Sequence, residues 1–143
     1  MRTKIVQTLL SRGVRPSPQR TAVYEALAGR KDHPSAEVLF AALRPTMPTL
    51  SKTTVLNTLR LFQSVGLTRD VRCEEGELRF DGSPAFHAHF KCRGCGALFD
   101  IPVEGGHEVT FVPLPEGFQL DDEQVIYYGL CKRCSAKKKG SKQ

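Results

Sequence analysis

The sequence predicts an α+β protein, with a winged helix-turn-helix domain in its first half and a small α/β dimerisation domain with a four-cysteine zinc site in its second. Two observations predict this fold class. Residues 1–66 contain helical patterns of apolar residues, and a short segment of strand character follows them. The second half contains two Cys-x-x-Cys hooks, Cys92–Cys95 and Cys131–Cys134, a spacing typical of structural zinc.

Four helices are predicted in the first half, each from an apolar stripe and from residues that favour helix ends. The first stripe includes Ile5, Leu9 and Leu10, and the third includes Val38 and Leu39. The first helix covers residues 3–12, the second begins after Ser17 and ends at Gly29, the third begins after Ser35, and the fourth begins after Ser51 and ends at Gly66.

The fourth helix has the clearest two-sided pattern. Val55, Leu59 and Phe62 recur at helical spacing and predict a face that packs on the core. The other face carries polar and basic side chains that suit phosphates and base edges. Two helices joined by a short turn, the second with such a face, form a helix-turn-helix. The candidate DNA-binding residues are Arg15, Arg20, Lys52, Thr53, Thr54, Leu56, Asn57 and Arg60.

A β-hairpin is predicted directly after the fourth helix. Its strands are expected at Thr68–Cys73 and Glu77–Phe80, around a Glu74-Glu75-Gly76 turn. A hairpin in this place is the wing of a winged helix. The alternative is a helical bundle with a hairpin and no role in nucleic-acid binding.

The formal net charge of +6 is distributed unevenly. Residues 1–80 contain 13 Lys/Arg and 7 Asp/Glu, residues 81–130 contain 2 and 8, and residues 131–143 contain 6 and 0. The basic first half favours a polyanionic partner, although a solvated basic face would give the same total. The lysine-rich segment at residues 136–142 is expected to be a disordered, solubilising tail.

No apolar run approaches the roughly 20 residues of a membrane span, and no secretory signal is recognisable. We therefore expect a cytoplasmic protein without a membrane partner. A disulfide between the hooks is disfavoured in that compartment, and it would leave Cys73 unused. A thioredoxin-like redox motif would need a βαβ setting, which neither hook has. Cys73 and His107 receive no role.

A second group of metal-binding residues consists of histidines and aspartates. His87 and His89 lie two apart on a predicted strand, so both imidazoles point to one side. Asp100 lies on the next predicted strand, Asp81 lies in a turn-rich segment, and His33 precedes the third helix. Three nitrogen and two oxygen ligands favour Fe²⁺ or Mn²⁺ over tetrahedral zinc and leave a sixth position open. Taken singly, His33 is more typical of a helix start.

The order and spacing of these motifs resemble the ferric uptake regulator family of bacterial metal-dependent repressors. The resemblance extends from about residue 13 to residue 134. The matching segments are Gly13–Arg20, His33–Ala36, Ser51–Leu59, Gly66–Leu67, Arg79–Asp81, His87–His89 and both cysteine hooks.

The resemblance is strongest to the peroxide-responsive branch, because Asp81 and Asp100 stand in a pattern where iron-responsive members commonly have glutamates. Members of that branch use Fe²⁺ to turn peroxide into oxidation of a metal-bound histidine. By position, the susceptible rings in this chain are those of His33 and His87.

Two departures from the family bear on the expected function. Relatives usually have a tyrosine at the position of Leu56, and leucine can only touch a thymine methyl group. Relatives also tend to have a helix between the last two strands. Residues 103–117 contain adjacent glycines, a β-leaning segment and two prolines, so that helix is poorly supported.

These observations predict a winged-helix DNA-binding domain at residues 1–80, a hinge at 81–84, and a dimerisation and metal-binding domain at 85–143. The expected function is repression of transcription by a homodimer on palindromic double-stranded DNA, with structural Zn²⁺ and regulatory Fe²⁺ or Mn²⁺. Metal and peroxide are the only small molecules expected to act on it. The alternatives are an iron or manganese uptake regulator without peroxide chemistry and a zinc-thiolate redox switch. A metal-dependent enzyme is disfavoured because the chain gives no sign of a substrate pocket.

Overall fold

The computed structural model describes residues 2–73, 76, 78–83, 87–103 and 112–140 of the chain. The chain divides into two compact units, at residues 1–84 and 85–143. The predicted hairpin turn at 74–75, the end of the predicted hinge at residue 84, and His107 lie outside the described residues. Within the described part, no helix has the length and apolar character needed to span a membrane.

The first unit begins with four helices, as the sequence predicts. Ser17, Ser35 and Ser51 each cap a helix, and each hydroxyl accepts a hydrogen bond from the backbone N–H three residues later. The helices are α1 at Arg2–Ser11, α2 at Pro18–Leu27, α3 at Ala36–Leu43 and α4 at Lys52–Ser64.

The core of the first unit consists of the inward faces of these helices. Val55, Leu59 and Phe62 of α4 are completely buried, which confirms the predicted core face. Tyr24 packs edge-on against Phe62, with ring centroids 5.9 Å apart. Leu10 and Val38 were predicted on apolar stripes, but they are 57% and 43% exposed because each lies at the margin of its stripe.

An antiparallel hairpin follows α4. Strand β1, Arg69–Arg72, pairs with β2, Leu78–Asp81, so that Arg69 lies opposite Asp81. Asp81, predicted at the start of a hinge, is therefore the last residue of a strand. The backbone N–H of Phe80 donates to the carbonyl of Pro34, which ties β2 to the segment before α3.

The second unit contains a three-stranded sheet and one helix in its described residues. The central strand β3, His87–Cys92, pairs antiparallel with β4, Leu98–Pro102, and parallel with β5, Ile126–Gly129. Residues 112–117 form no helix, in agreement with the prediction, while residues 104–111 lie outside the described part.

The final helix, α5 at Lys132–Gly140, contradicts the predicted disordered tail over residues 136–140. Alanine and lysine are good helix formers, and three lysines in the last turn interact favourably with the helix dipole. The N–H of Ser135 donates to the carbonyl of Cys131, so the helix begins directly at the second hook.

Candidate metal centres and nucleic-acid interface

The two cysteine hooks lie together in the second unit. Cys92 ends β3, Cys95 lies in the following turn, Cys131 directly precedes α5, and Cys134 lies in its first turn. The four sulfur atoms lie within 4.8 Å of one another, and those of Cys95 and Cys131 are 3.9 Å apart. At a Zn–S distance of about 2.3 Å, the sulfurs of a tetrahedral centre are about 3.8 Å apart. The four cysteines therefore fit one structural zinc ion.

Glycine permits the close approach of the two hooks. A Cβ atom on Gly94 would lie 2.9 Å from Sγ and 3.0 Å from Cβ of Cys134, closer than side-chain atoms approach each other. Gly96 has φ +77°, a left-handed conformation that reverses the chain after Cys95. The first hook can thus lie directly against the second.

The thiols are arranged to bind a cation. Backbone N–H groups of Cys131 and Cys95 donate to Sγ of Cys92 at 3.3 and 3.5 Å, and they lower the pKa of that thiol to about 6. Hydrogen bonds from the Cys134 thiol to the sulfurs of Cys92 and Cys131 raise its pKa to about 12. Sulfurs this close together repel as thiolates, and a dication offsets that repulsion and displaces the last proton.

The second unit also brings His87, His89 and Asp100 together. His89 lies opposite Asp100 in the β3–β4 ladder, and strand alternation places His87 on the same face. Oδ1 of Asp100 is 3.1 Å from Nε2 of His87 and 3.6 Å from Nε2 of His89. The two rings lie edge to face, with centroids 4.6 Å apart. Two imidazoles and a carboxylate on one face fit Fe²⁺ or Mn²⁺.

The first unit holds the other two predicted ligands, His33 and Asp81. Both are buried, and Nε2 of His33 lies 3.6 Å from Oδ2 of Asp81. The N–H of Ser83 donates to Oδ1 of Asp81, which orients the carboxylate. His33 has φ 51°, the one left-handed conformation found among the described non-glycine residues. Such strain is often found at functional sites.

The predicted outer face of α4 is exposed. Lys52, Thr53, Asn57 and Arg60 all point to solvent, whereas Leu56 is half-buried against the core of the first unit. Lys52 also forms a surface ion pair with Glu37 at 3.2 Å, which contributes little to stability. Apart from Leu56, this face therefore presents polar and cationic groups.

Four of the predicted DNA-binding residues line one open cavity of about 600 Å³ between α2 and α4: Arg15, Arg20, Thr54 and Asn57. The guanidinium of Arg20 donates to the carbonyl of Arg15 at 2.8 Å, which holds both near the start of α2. Ser17 and Gln19 also line the cavity and were not predicted as site residues. Both residues lie at the start of a helix, between two arginines, and this placement in the sequence could have indicated that they belong to the site.

Comparison of the sequence with known proteins identifies the same family as the motifs do. A model of the ferric uptake regulator family matches residues 11–128. The peroxide operon regulator of Bacillus subtilis is 35% identical over 133 residues, which cover 92% of each chain. The peroxide-responsive repressor PerR of Staphylococcus saprophyticus is 32% identical over 92% of this chain and 90% of the relative.

Solved structures show the same fold. The Vibrio cholerae ferric uptake regulator (Fur) is similar with a TM-score of 0.65 and 23% identity, over 88% of this chain and 98% of that one. PerR from Streptococcus pyogenes, in a structure describing peroxide sensing and gene regulation, is similar with a TM-score of 0.53 and 23% identity. That match covers 93% of this chain and 92% of the other.

Proposed function

Because this chain belongs to the ferric uptake regulator family, we propose that it is a metal-dependent, DNA-binding transcriptional repressor that responds to peroxide. The observation that carries the proposal is the convergence of His87, His89 and Asp100 on one face of the sheet. This ligand set suits a redox-active or exchangeable divalent metal better than the four thiolates do. The proposal is tested by comparing the DNA affinity of the metal-loaded protein with that of the metal-depleted protein.

The proposed DNA interface is the outer face of α4 together with the cavity beside it. Asn57 and Arg60 lie one helical turn apart on the exposed face, where they can reach base edges and phosphates. Arg15 and Arg20, at the start of α2, present cations beside backbone N–H groups, which is a suitable setting for a phosphate. The protein acts in the cytoplasm, where bacterial DNA lies.

Replacing Arg60 with alanine is expected to weaken DNA binding by removing one phosphate contact. The slope of log K against log salt should decrease in magnitude by about 0.9, the value for one phosphate. The measurement is binding to a duplex selected from a random library by the Mn²⁺-loaded protein. Arg44→Ala, which removes another exposed arginine that lies outside α4, is the matched control. Equal salt slopes for the two variants would show that Arg60 does not contact a phosphate.

The second unit offers a surface for a second copy of the chain. Phe99, Ile101 and Tyr127 are 42%, 37% and 48% exposed. Phe90 of the central strand pairs with Phe99 on one side and with Tyr127 on the other, and Ile101 lies two residues after Phe99. The three exposed side chains therefore share one face of the sheet. An exposed apolar patch of this kind is typical of a protein–protein interface. A homodimer would present two copies of α4 to a palindromic operator.

The regulatory ion is proposed to be shared by His33 and Asp81 of the first unit with His87, His89 and Asp100 of the second. A pair of ligands is too few to hold an exchangeable ion by itself, whereas five ligands leave one position open. Such sharing would connect the metal site to the unit that carries α4. Metal and DNA binding would then be thermodynamically coupled.

Peroxide sensing requires a group that peroxide oxidises and whose oxidation weakens metal binding. Held by these residues, Fe²⁺ would promote cleavage of the peroxide O–O bond beside the imidazoles. The susceptible rings are those of His33 and His87, one in each ligand set. A ring that gains one oxygen atom, while the second oxygen of peroxide leaves as water, becomes a poorer ligand. The protein would then release metal and DNA.

Two other functions remain as alternatives. An iron or manganese uptake regulator has the same ligands without the peroxide chemistry, so only the response to peroxide separates it from our proposal.

The second alternative is a thiol switch, which would oxidise the four hook cysteines and release zinc. That function leaves the His87, His89 and Asp100 cluster without a role, which is why we favour the metal-dependent repressor.

A further inference from the structure

Lys91 is a buried lysine in the middle of the second unit's sheet. Only 3% of its surface is exposed, although lysine is almost never fully buried unless it is paired. It lies on β3 between Leu98 of β4 and Tyr128 of β5. Its Nζ donates a hydrogen bond of 2.8 Å to the carbonyl oxygen of Gly96. Neither the proposed DNA interface nor the metal ligands use this group.

The carbonyl that Lys91 binds belongs to the turn of the first cysteine hook. The N–H of Gly96 donates to the carbonyl of Cys92, and the N–H of Cys92 donates to the carbonyl of Ala97, both at 2.9 Å. Gly96 is the left-handed residue that reverses the chain immediately after Cys95. Lys91 therefore joins the strand before the hook to the residue after it, and closes the turn that presents both sulfurs.

The sign of a lysine charge also suits a position beside the metal-loaded hook. Four thiolates around one Zn²⁺ carry a net charge of −2, which favours a nearby fixed cation. Strand alternation points Lys91 to the face opposite Cys92, so it does not compete for the metal. Inside a protein, a charge of this kind acts more strongly than on an exposed side chain.

We propose that Lys91 is a positioning residue of the zinc centre, whose buried ammonium holds the first hook in its metal-binding conformation and slows the loss of zinc. It acts through the carbonyl of Gly96 and is not itself a ligand. The competing explanation is that Lys91 only fills space in the sheet. In that case, an apolar side chain of similar length would serve equally well.

The test compares Lys91→Met with Lys132→Met in the full-length, zinc-loaded protein. Both substitutions remove one lysine charge beside a hook, but Lys132 is exposed at the start of α5. Zinc transfer to a chromophoric chelator is followed under native conditions. Lys91→Met should release zinc about tenfold faster, the effect of losing one charge-assisted hydrogen bond, and Lys132→Met within about twofold of the unsubstituted rate. Equal rates for both variants and the unsubstituted protein would overturn the proposal, as would equal acceleration of both.

A spectroscopic measurement separates positioning from packing. Co²⁺ placed in the four-sulfur site has visible absorption bands that depend on the geometry of the sulfurs. Lys91→Met should change these bands, whereas Lys132→Met should leave them as they are in the unsubstituted protein. Unchanged bands would contradict a positioning role. If Lys91→Met does not fold, Lys91→Gln serves instead, because it removes the cation and keeps a polar side chain; bands and a release rate identical to those of the unsubstituted protein would overturn the proposal.

Discussion

Replacing Cys95 with serine is expected to abolish zinc retention and to unfold the second unit at moderate temperature. The sulfur of Cys95 lies 3.9 Å from that of Cys131 and forms part of the contact between the hooks. Structural zinc contributes on the order of 10 kcal/mol of apparent folding free energy in small domains. In the residues that the structure describes, the second unit has a sheet of three strands and a final helix with no buried residue, so little else there supports the hooks. Metal analysis and thermal unfolding measure the two effects.

Cys73→Ala is the matched control for that substitution. Cys73 is a buried cysteine directly after the first unit's β1, outside the hooks, so the variant should keep about one zinc ion per chain. A Cys95→Ser protein that retained zinc and unfolded like the control would show that the four cysteines do not form the zinc site.

The second large effect is expected on peroxide treatment of the Fe²⁺-loaded protein. The peptide that contains His33 or His87 should gain about 16 Da, the mass of one oxygen atom, because the metal delivers the oxidising equivalent locally. His87 lies 3.1 Å from a carboxylate oxygen of the proposed ligand set, and His33 lies 3.6 Å from another. Peptide mass spectrometry after limited exposure measures the gain and identifies the ring.

Mn²⁺-loaded protein provides the control, since Mn²⁺ does not readily reduce peroxide and should protect both rings. The peptide that contains His107, the remaining histidine of the four, is an internal control because His107 is not a proposed ligand. Oxidation confined to the four hook cysteines, with either metal, would favour the thiol switch. Equal oxidation of all histidine peptides would show that the reaction does not depend on the site.

The helices of the first unit could be predicted because their signals are local. Ser51 and the Val55, Leu59 and Phe62 stripe are encoded within one short segment, and the structure places each as the sequence indicates. The cysteine hooks could be predicted for the same reason, because zinc geometry restricts their spacing.

The features that sequence reasoning missed depend on tertiary context. Lys91 follows the histidines on an amphipathic strand, and nothing in the local pattern reveals that its ammonium is buried against Gly96. The left-handed backbone of His33 is equally invisible in a sequence without glycine at that position. Helix α5 replaces the predicted disordered tail over residues 136–140, because helix propensity and the hook at the start of the helix outweigh the repulsion within the charge run.

Metal binding by the histidine–aspartate residues is proposed to control DNA binding. Affinity for the selected duplex, measured with zinc retained and with Mn²⁺ either present or removed, tests this most directly. Mn²⁺ should tighten binding by about 10- to 100-fold, a range typical of coupled sites, and His89→Ala should remove that response while keeping its zinc. Equal affinity of the unsubstituted protein with and without Mn²⁺ would show that this metal site does not control DNA binding.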